Sequence, residues 1–330
     1  KFSCNSYQNL ELKSKMKVKA SKNWKTRFWA IVKYELLWNI RKKKFIGVMV
    51  LAFALATLSL VLPVILSNIV GQQLQRNPDY VVNTGAGIGG LGMFLFAVAI
   101  AMNSISGEFE SGTIVPLLSK PVSRTMVFLG KLLAAFITLF SAYAILITYI
   151  AVGGIVVYGP QNNLHLLPLS LFGTILSTFL WIAIVLAIGS LSKSSLIAAL
   201  GTFGIFMALT ISNPIISMFS DQAWILNYVP GNGVTGYMVG INGQTLYSPG
   251  IAVSTGTDNI AANLIKYVLY PSSNVTFFKS IFTGQRIQMV ELYTEPLLTV
   301  LIRSILVALA YILVFLAISW YAFKRAQILE

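Results

Sequence analysis

The chain reads as an all-α integral membrane protein of six transmembrane helices with both ends on the cytoplasmic side, and three observations predict this. The first is composition: 56% of the 330 residues are hydrophobic and 10% are charged, where a soluble domain carries about 25% charged residues. Mean hydropathy is correspondingly high, at +0.76. The second is grouping, because the apolar residues form uninterrupted runs long enough to cross a hydrocarbon core of about 30 Å, which takes about 20 helical residues. The runs lack the alternation of barrel strands, so the spans are helices. The third is the placement of charge, treated below.

The N-terminal region, residues 1–44, holds 13 of the 24 basic residues. Arg41-Lys42-Lys43-Lys44 directly abuts the first apolar run, as a positive-inside flank does. Anionic headgroups of the lipid bilayer, rather than nucleic acid, are the partner such a cluster implies. Within it, residues 23–40 interleave Trp24, Phe28, Trp29 and Trp38 with Lys25, Arg27 and Lys33, the pattern of an interfacial helix. Glu35 and Asn39 fall on its apolar face, so this helix is expected to pack against protein as well as lipid. The chain begins at Lys1, which leaves processing, an upstream truncation and a start at Met16 open.

The spans are expected at residues 45–70, 87–105, 126–158, 168–191, 196–218 and 297–323. The third exceeds what a bilayer requires, so it tilts, projects, or breaks near Gly153-Gly154. With the N-terminus inside, 19 Lys and Arg lie on the cytoplasmic side and five outside, while the ten acids divide evenly. The interior therefore carries the whole net charge of +14. Spans one to five, with the linker at residues 106–125, occupy residues 45–218; span six and a short tail occupy 297–330. Residues 219–296 form a long external segment whose apolar stretches, 260–270 and 275–282, are too short to span and read as interfacial or re-entrant helices. Asn274-Val275-Thr276 is a glycosylation acceptor sequence there, with Asn274 as the candidate site.

Several chemistries are excluded. Cys4 is the sole cysteine and His165 the sole histidine, so no intrachain disulfide, cysteine-based metal site or H-E-x-x-H centre can form. No metal site and no catalytic residue is expected. Gly130-Lys131 lacks the upstream glycine and following hydroxyl of a phosphate-binding loop. Gly85-x-Gly87-x-x-Gly90 matches a dinucleotide fingerprint, but no strand precedes it and it leads into a membrane helix; small residues at Gly85, Gly89 and Gly92 suit close helix approach instead. None of the six runs has an interior Asp or Glu, which weighs against an ion-driven carrier. Lys131 and Arg303 lie about two turns inside their spans and read as snorkelling cations.

The linker between the second and third runs reads Ser106-Gly107-Glu108-Phe109-Glu110-Ser111-Gly112-Thr113-Ile114-Val115-Pro116-Leu117-Leu118-Ser119-Lys120-Pro121-Val122-Ser123-Arg124, followed by Gly130-Lys131. It resembles the cytoplasmic loop of type-2 ABC transporter permeases, whose pattern is E-x-E-x-G-T-[IL]-x-x-L-L-[ST]-x-P-[IV]-S-R and then G-K. The match covers about 25 residues; Ser111 and the long external segment depart from the common pattern.

The resemblance implies a non-catalytic permease subunit in the cell membrane, paired with a second permease subunit, identical or paralogous. It further implies two ATPase subunits that hold ATP and Mg, none being bound by this chain, and transport in the export direction. Glu108, Glu110, Gly112, Thr113, Ile114, Leu117, Pro121 and Arg124 are then the candidate ATPase-coupling residues, with Thr113 to Leu118 as a coupling helix and Glu35 as a brace from the interfacial helix. Two other classes compete: an autonomous carrier or channel, and a membrane-anchored binding protein that uses its external loop.

Overall fold

The computed structural model of the chain describes residues 24–71, 77–85, 89–112, 123–220, 222–238, 251–283 and 286–325. Six helical segments in it are long and apolar enough to cross a membrane. An entry helix, α1 (Trp24–Arg41), precedes α2 (Lys43–Val70), which ends at Gly71 with φ +72°, its N–H bonded to Asn68 O. A short helix, α3 (Tyr80–Gly85), leads to α4 (Gly89–Ala101), whose span is completed beyond a bend by α5 (Ser106–Glu110). Then come α6 (Arg124–Tyr158), α7 (Leu167–Ser192) and α8 (Ser195–Phe219).

The α6 helix runs unbroken through Gly153 and Gly154, which removes the break from the three ways its length could be accommodated and leaves tilt or projection. At about 1.5 Å per residue its 35 residues extend roughly 50 Å. The two glycines serve packing instead: Leu60 of α2 and Val81 of α3 press where their Cβ atoms would lie.

The hub is α7, packed by α4, α6, α8 and later elements. Its sequence is apolar all round, as a fully surrounded helix requires, and Trp181 on it is wholly buried. The Trp181 ring meets Phe206 of α8 at 5.3 Å, and Phe206 stacks on Phe94 of α4 at 4.8 Å. The Tyr143 hydroxyl of α6 reaches Thr178 Oγ1 at 2.7 Å, so the buried phenol keeps a partner.

The segment after α8 carries most of what sequence periodicity did not reveal. A 3-10 turn, Ala223–Tyr228, leads to strands β1 (Thr235–Met238) and β2 (Ile251–Ser254), helix α9 (Ile260–Leu269), and strands β3 (Asn274–Thr283) and β4 (Arg286–Pro296). The strands make one antiparallel sheet in the order β2-β1-β3-β4. Of the two short helices expected there, the first forms as a helix at Ile260–Leu269, while 275–282 is corrected to the body of β3. Val275 and Phe277 alternate inward onto a core with Val253, Met238 and Leu297, while Asn274 is exposed at the first position of β3. The last strand runs directly into α10 (Leu297–Arg325), the sixth span.

This segment is not simply laid over the bundle. Ser177 Oγ of α7 donates to Thr257 O at 2.6 Å, and Ser304 Oγ of α10 donates to Thr255 O at 2.6 Å. Ser177 lies ten residues, roughly 15 Å, from the start of α7, so residues 255–259 reach well down between the spans. Gly173 makes the approach possible: a Cβ there would stand 2.5 Å from Ala261 Cα and 2.6 Å from Ala261 N. Because that neighbour is backbone, Gly173→Ala is expected to cost about 1–3 kcal/mol and lower the melting temperature in detergent. Gly204→Ala on α8, with nothing within 4 Å, should leave it unchanged or raise it; equal melting of the two variants would contradict this docking.

Candidate functional site

The basic end of the bundle gathers four elements on a buried ion cluster. Gly130 lets α1 lie against α6, since a Cβ there would stand 2.8 Å from Ile31 Cγ2. The next residue, Lys131, places Nζ 2.6 Å from Glu35 Oε1 of α1 and 2.6 Å from Glu108 Oε1 of α5. The side chains of Lys131 and Glu35 are only 5% and 8% exposed, so the snorkelling expected of Lys131 is corrected. A buried ammonium is stable here because two carboxylates face it. The Glu108 Oε2 atom is buried without a hydrogen-bond partner.

A second cation adjoins the cluster. Lys42, at the start of α2, donates to Asn39 Oδ1 at 2.8 Å and to Ile100 O of α4 at 3.3 Å. Burial pulls its ammonium down to about 8, against the opposing pull of Glu35. Glu35 and Asn39, the two polar residues on the apolar face of the interfacial helix, thus both find partners in protein.

Glu110 acts differently. Its Oε1 accepts from Ser195 N at 2.7 Å and Ser194 Oγ at 3.0 Å, and Oε2 accepts from Ser195 Oγ. The carboxylate therefore occupies the N-terminus of α8, where backbone N–H groups lack partners and the helix dipole favours negative charge. Ser194 itself makes no side-chain cap. Between the two acids, Phe109 packs edge-on to Phe323 of α10 at 6.3 Å, with Lys193 over its face at 5.9 Å.

The linker is held equally at its far end. Ser123 caps α6 by accepting from Met126 N at 3.2 Å, and Arg124 Nη1 donates to Lys324 O at 2.8 Å, near the end of α10. Gly112 has φ +68°, a conformation glycine adopts freely. Thr113, Ile114, Leu117 and Pro121 lie outside the described residues. Of the candidate coupling residues, then, the structure brings Glu108 and Glu35 together on Lys131, and sends Glu110 to α8 and Arg124 to α10. Lys131, Lys42, Ser194 and Ser195 belong to the same assembly and were missed as site residues. The available signal was Lys131 itself, a cation too deep in an apolar run to be indifferent.

A second ionisable group sits far from this cluster. Asp258, between β2 and α9, is 6% exposed and accepts from Trp181 Nε1 at 3.0 Å. Its Oδ2 lies 2.8 Å from where a Cβ on Gly90 would stand, in the first turn of α4. Of the glycines expected to allow close approach, Gly89 has nothing within 4 Å of a Cβ built on it, and its neighbour Gly90 makes the close contact instead. Burial pushes the Asp258 carboxyl up to about 6 against the Trp181 and Thr257 hydrogen bonds, with no charged group contributing. The acid assigned to an external loop is therefore packed among the spans. Arg303, also read as snorkelling, is instead held by Glu295: its Nη1 and Nη2 donate to the two carboxylate oxygens, the former at 2.9 Å.

Six membrane-length helices around a buried hub, with the linker after the second span wired to its neighbours, define a multi-pass membrane transport component. The chain belongs to the ABC-2 family transporter proteins, whose family model matches residues 29–328. It is a membrane permease of the type-2 ABC transporter class, a family associated with an ABC ATPase subunit. No curated protein matches the chain.

Proposed function

We propose that this permease converts ATP hydrolysis on a separate ATPase into export of a substrate across the cell membrane, through the linker at residues 106–125. Two ATPase copies, each holding ATP and Mg, dock beneath a pair of permeases, identical or paralogous, with both termini of this chain cytoplasmic. The charge asymmetry of the sequence supports that orientation. The observation that carries the coupling reading is the double anchoring of one short helix: Glu108 on Lys131 and Glu110 on the N-terminus of α8.

A push on the segment 113–122 passes into α5 at Gly112, and α5 cannot shift without displacing either α6 and α1 through Glu108, or α8 through Glu110. In this reading Glu108 and Glu110 face inward, as transmission residues, and Thr113, Ile114, Leu117 and Pro121 meet the ATPase. Glu35 braces the interfacial helix onto the same lever, and Arg124 ties its far end to α10.

Co-expression with an ABC ATPase subunit, followed by reconstitution, tests this. Glu110→Ala should leave ATPase co-purification within about twofold of wild type, yet lower the permease-dependent hydrolysis rate at least roughly fivefold, the low end of ordinary coupling between sites. Loss of co-purification in step with activity would make Glu110 a docking residue and overturn the lever. A chain that never captures an ATPase, or that transports in liposomes without one, would overturn the whole reading.

A further inference from the structure

The seam between α2 and α4 combines an apolar groove with an exposed basic mouth. The groove is lined by Val48, Ala52 and Leu55 of α2, Leu95 of α4, and Leu146 and Ile150 of α6. It ends at Ser59, where the Tyr80 hydroxyl donates to Ser59 O at 2.6 Å and the Tyr158 hydroxyl to Leu60 O at 3.0 Å. From Val48 to Ser59 is eleven residues, roughly 16 Å of helix. One leaflet contributes about half of a 30 Å hydrocarbon core, so the groove matches the depth of a single leaflet.

Its open end leads to the basic cluster. Lys44 Nζ lies 3.6 Å from Met102 Sδ, just past the end of α4, and so stands over the same seam. Lys44 precedes Val48 by four residues, about 6 Å along the helix, the offset that would separate a phosphate from the start of its acyl chains. Arg41 and Lys43 flank it, and all three are exposed. Among the described residues none of the three makes a salt bridge, although Glu110, held at the N-terminus of α8, lies close enough to Lys44 to feel its charge. Polar contacts along the groove are few: the Tyr149 hydroxyl donates to Thr57 Oγ1 at 2.6 Å, Thr57 itself donating to Phe53 O, beside the seam.

We propose that this seam is a binding site for an anionic glycerophospholipid of the leaflet at the basic end, its acyl chain in the groove and its phosphate against Lys44, Lys43 and Arg41. The charge of the mouth selects the headgroup, since each basic residue near a membrane surface favours anionic lipid by about 1 kcal/mol. The depth of the groove selects the leaflet. A bound lipid would also join α1 and α2 to α4 at the end where the ion cluster lies, and the inference stands independently of coupling to an ATPase.

The test is native mass spectrometry of the full chain in detergent, titrated with dioleoylphosphatidylglycerol or dioleoylphosphatidylcholine. The wild-type chain should bind one phosphatidylglycerol at least roughly tenfold more tightly than phosphatidylcholine, a threshold well below the roughly hundredfold that three basic residues would supply in full. In Arg41→Gln/Lys43→Gln/Lys44→Gln that preference should fall to within about twofold. Ala52→Trp, which fills the groove, should remove the tight site while leaving the basic cluster intact. Leu55→Trp, at a half-exposed position, should do the same and covers the case in which Ala52→Trp misfolds.

Equal binding of the two lipids by wild type would reduce the groove to unselective apolar surface and overturn the proposal. So would a tight site that persists in both tryptophan variants. A disulfide-linked dimer formed by Leu55→Cys in a Cys4→Ser background would seat a second copy of the chain there instead.

Discussion

Lys131→Met is expected to cost about 3–5 kcal/mol, the range for removing one partner from a buried ion pair. The side chain is nearly isosteric and apolar, so packing changes little; what changes is charge. Glu35 and Glu108 both point at the Lys131 ammonium from 2.6 Å. Without it, two carboxylates face each other in a site from which water is largely excluded. They must then bind protons, move apart, or draw Lys42 across from Asn39 and Ile100.

Each of these outcomes loosens α1 from α6. The melting temperature in detergent should therefore fall by roughly 4–7 °C, since about 2.1 cal/mol/K per residue gives about 1.4 °C per kcal/mol for a chain of 330 residues. Trypsin should cut sooner in α1, at Lys25, Arg27 and Lys33. The triple variant Lys131→Met/Glu35→Gln/Glu108→Gln removes the stranded charges and should recover most of the loss, because replacing a buried ion group by neutral residues of similar size is often close to neutral. A single Lys131→Met that melts within 2 °C of wild type would mean that the cluster is hydrated and contributes little.

How much of this was legible beforehand depends on what kind of signal each element leaves. The spans were plain because about 20 consecutive apolar residues have few other uses, and the bounds of α2, α7, α8 and α10 fall within three residues of those expected. The linker was plain as a motif, yet the motif did not say where its acids point. The partners of Glu110, Ser194 and Ser195, lie 84 and 85 residues away in the short connection between the fourth and fifth spans, a pairing that no local pattern announces.

The sheet was hidden for a related reason. The run Val275-Thr276-Phe277-Phe278-Lys279-Ser280-Ile281-Phe282 is apolar enough to pass for a short helix, and periodicity does not separate the two in so short a stretch. Pairing decides it, through Gly236 opposite Phe277 and Val275 opposite Glu295. Depth was the least legible property. Asp258 stands between spans five and six in sequence, and it is tertiary contacts, the close approach of Ala261 to Gly173 and of Asp258 to Gly90 and the Trp181 hydrogen bond, that place it among the helices.

Asp258→Asn should flatten a pH dependence that the wild-type chain carries. Burial raises the carboxyl from 3.8 to about 6 in the folded protein, so the folded state holds the proton more tightly than the unfolded state. Stability is then greatest below about pH 4, falls as pH rises through the window from about 4 to 6, and levels off above it, the reverse of a salt-bridged carboxylate. A shift of about two units corresponds to about 3 kcal/mol. The groups that face Asp258 do not titrate in this window: Trp181 from α7, Tyr143 from α6, Phe206 from α8 and Gly90 from α4.

Asparagine keeps an oxygen for Trp181 Nε1 and occupies nearly the same volume, so the variant loses only the charge. It should melt with wild type near pH 4 and several degrees above it at pH 7.5. Two curves that run parallel from pH 4 to 8 would show that the carboxylate is solvated in the folded protein and does not sit in a dry site against Trp181. The comparison also bears on how the segment between the fifth and sixth spans is held. If charging Asp258 strains residues 255–259 against α7 and α10, protease access to the connection between β2 and α9 should rise with pH in the wild type and stay constant in the variant, which places the strain in that segment rather than in the bundle.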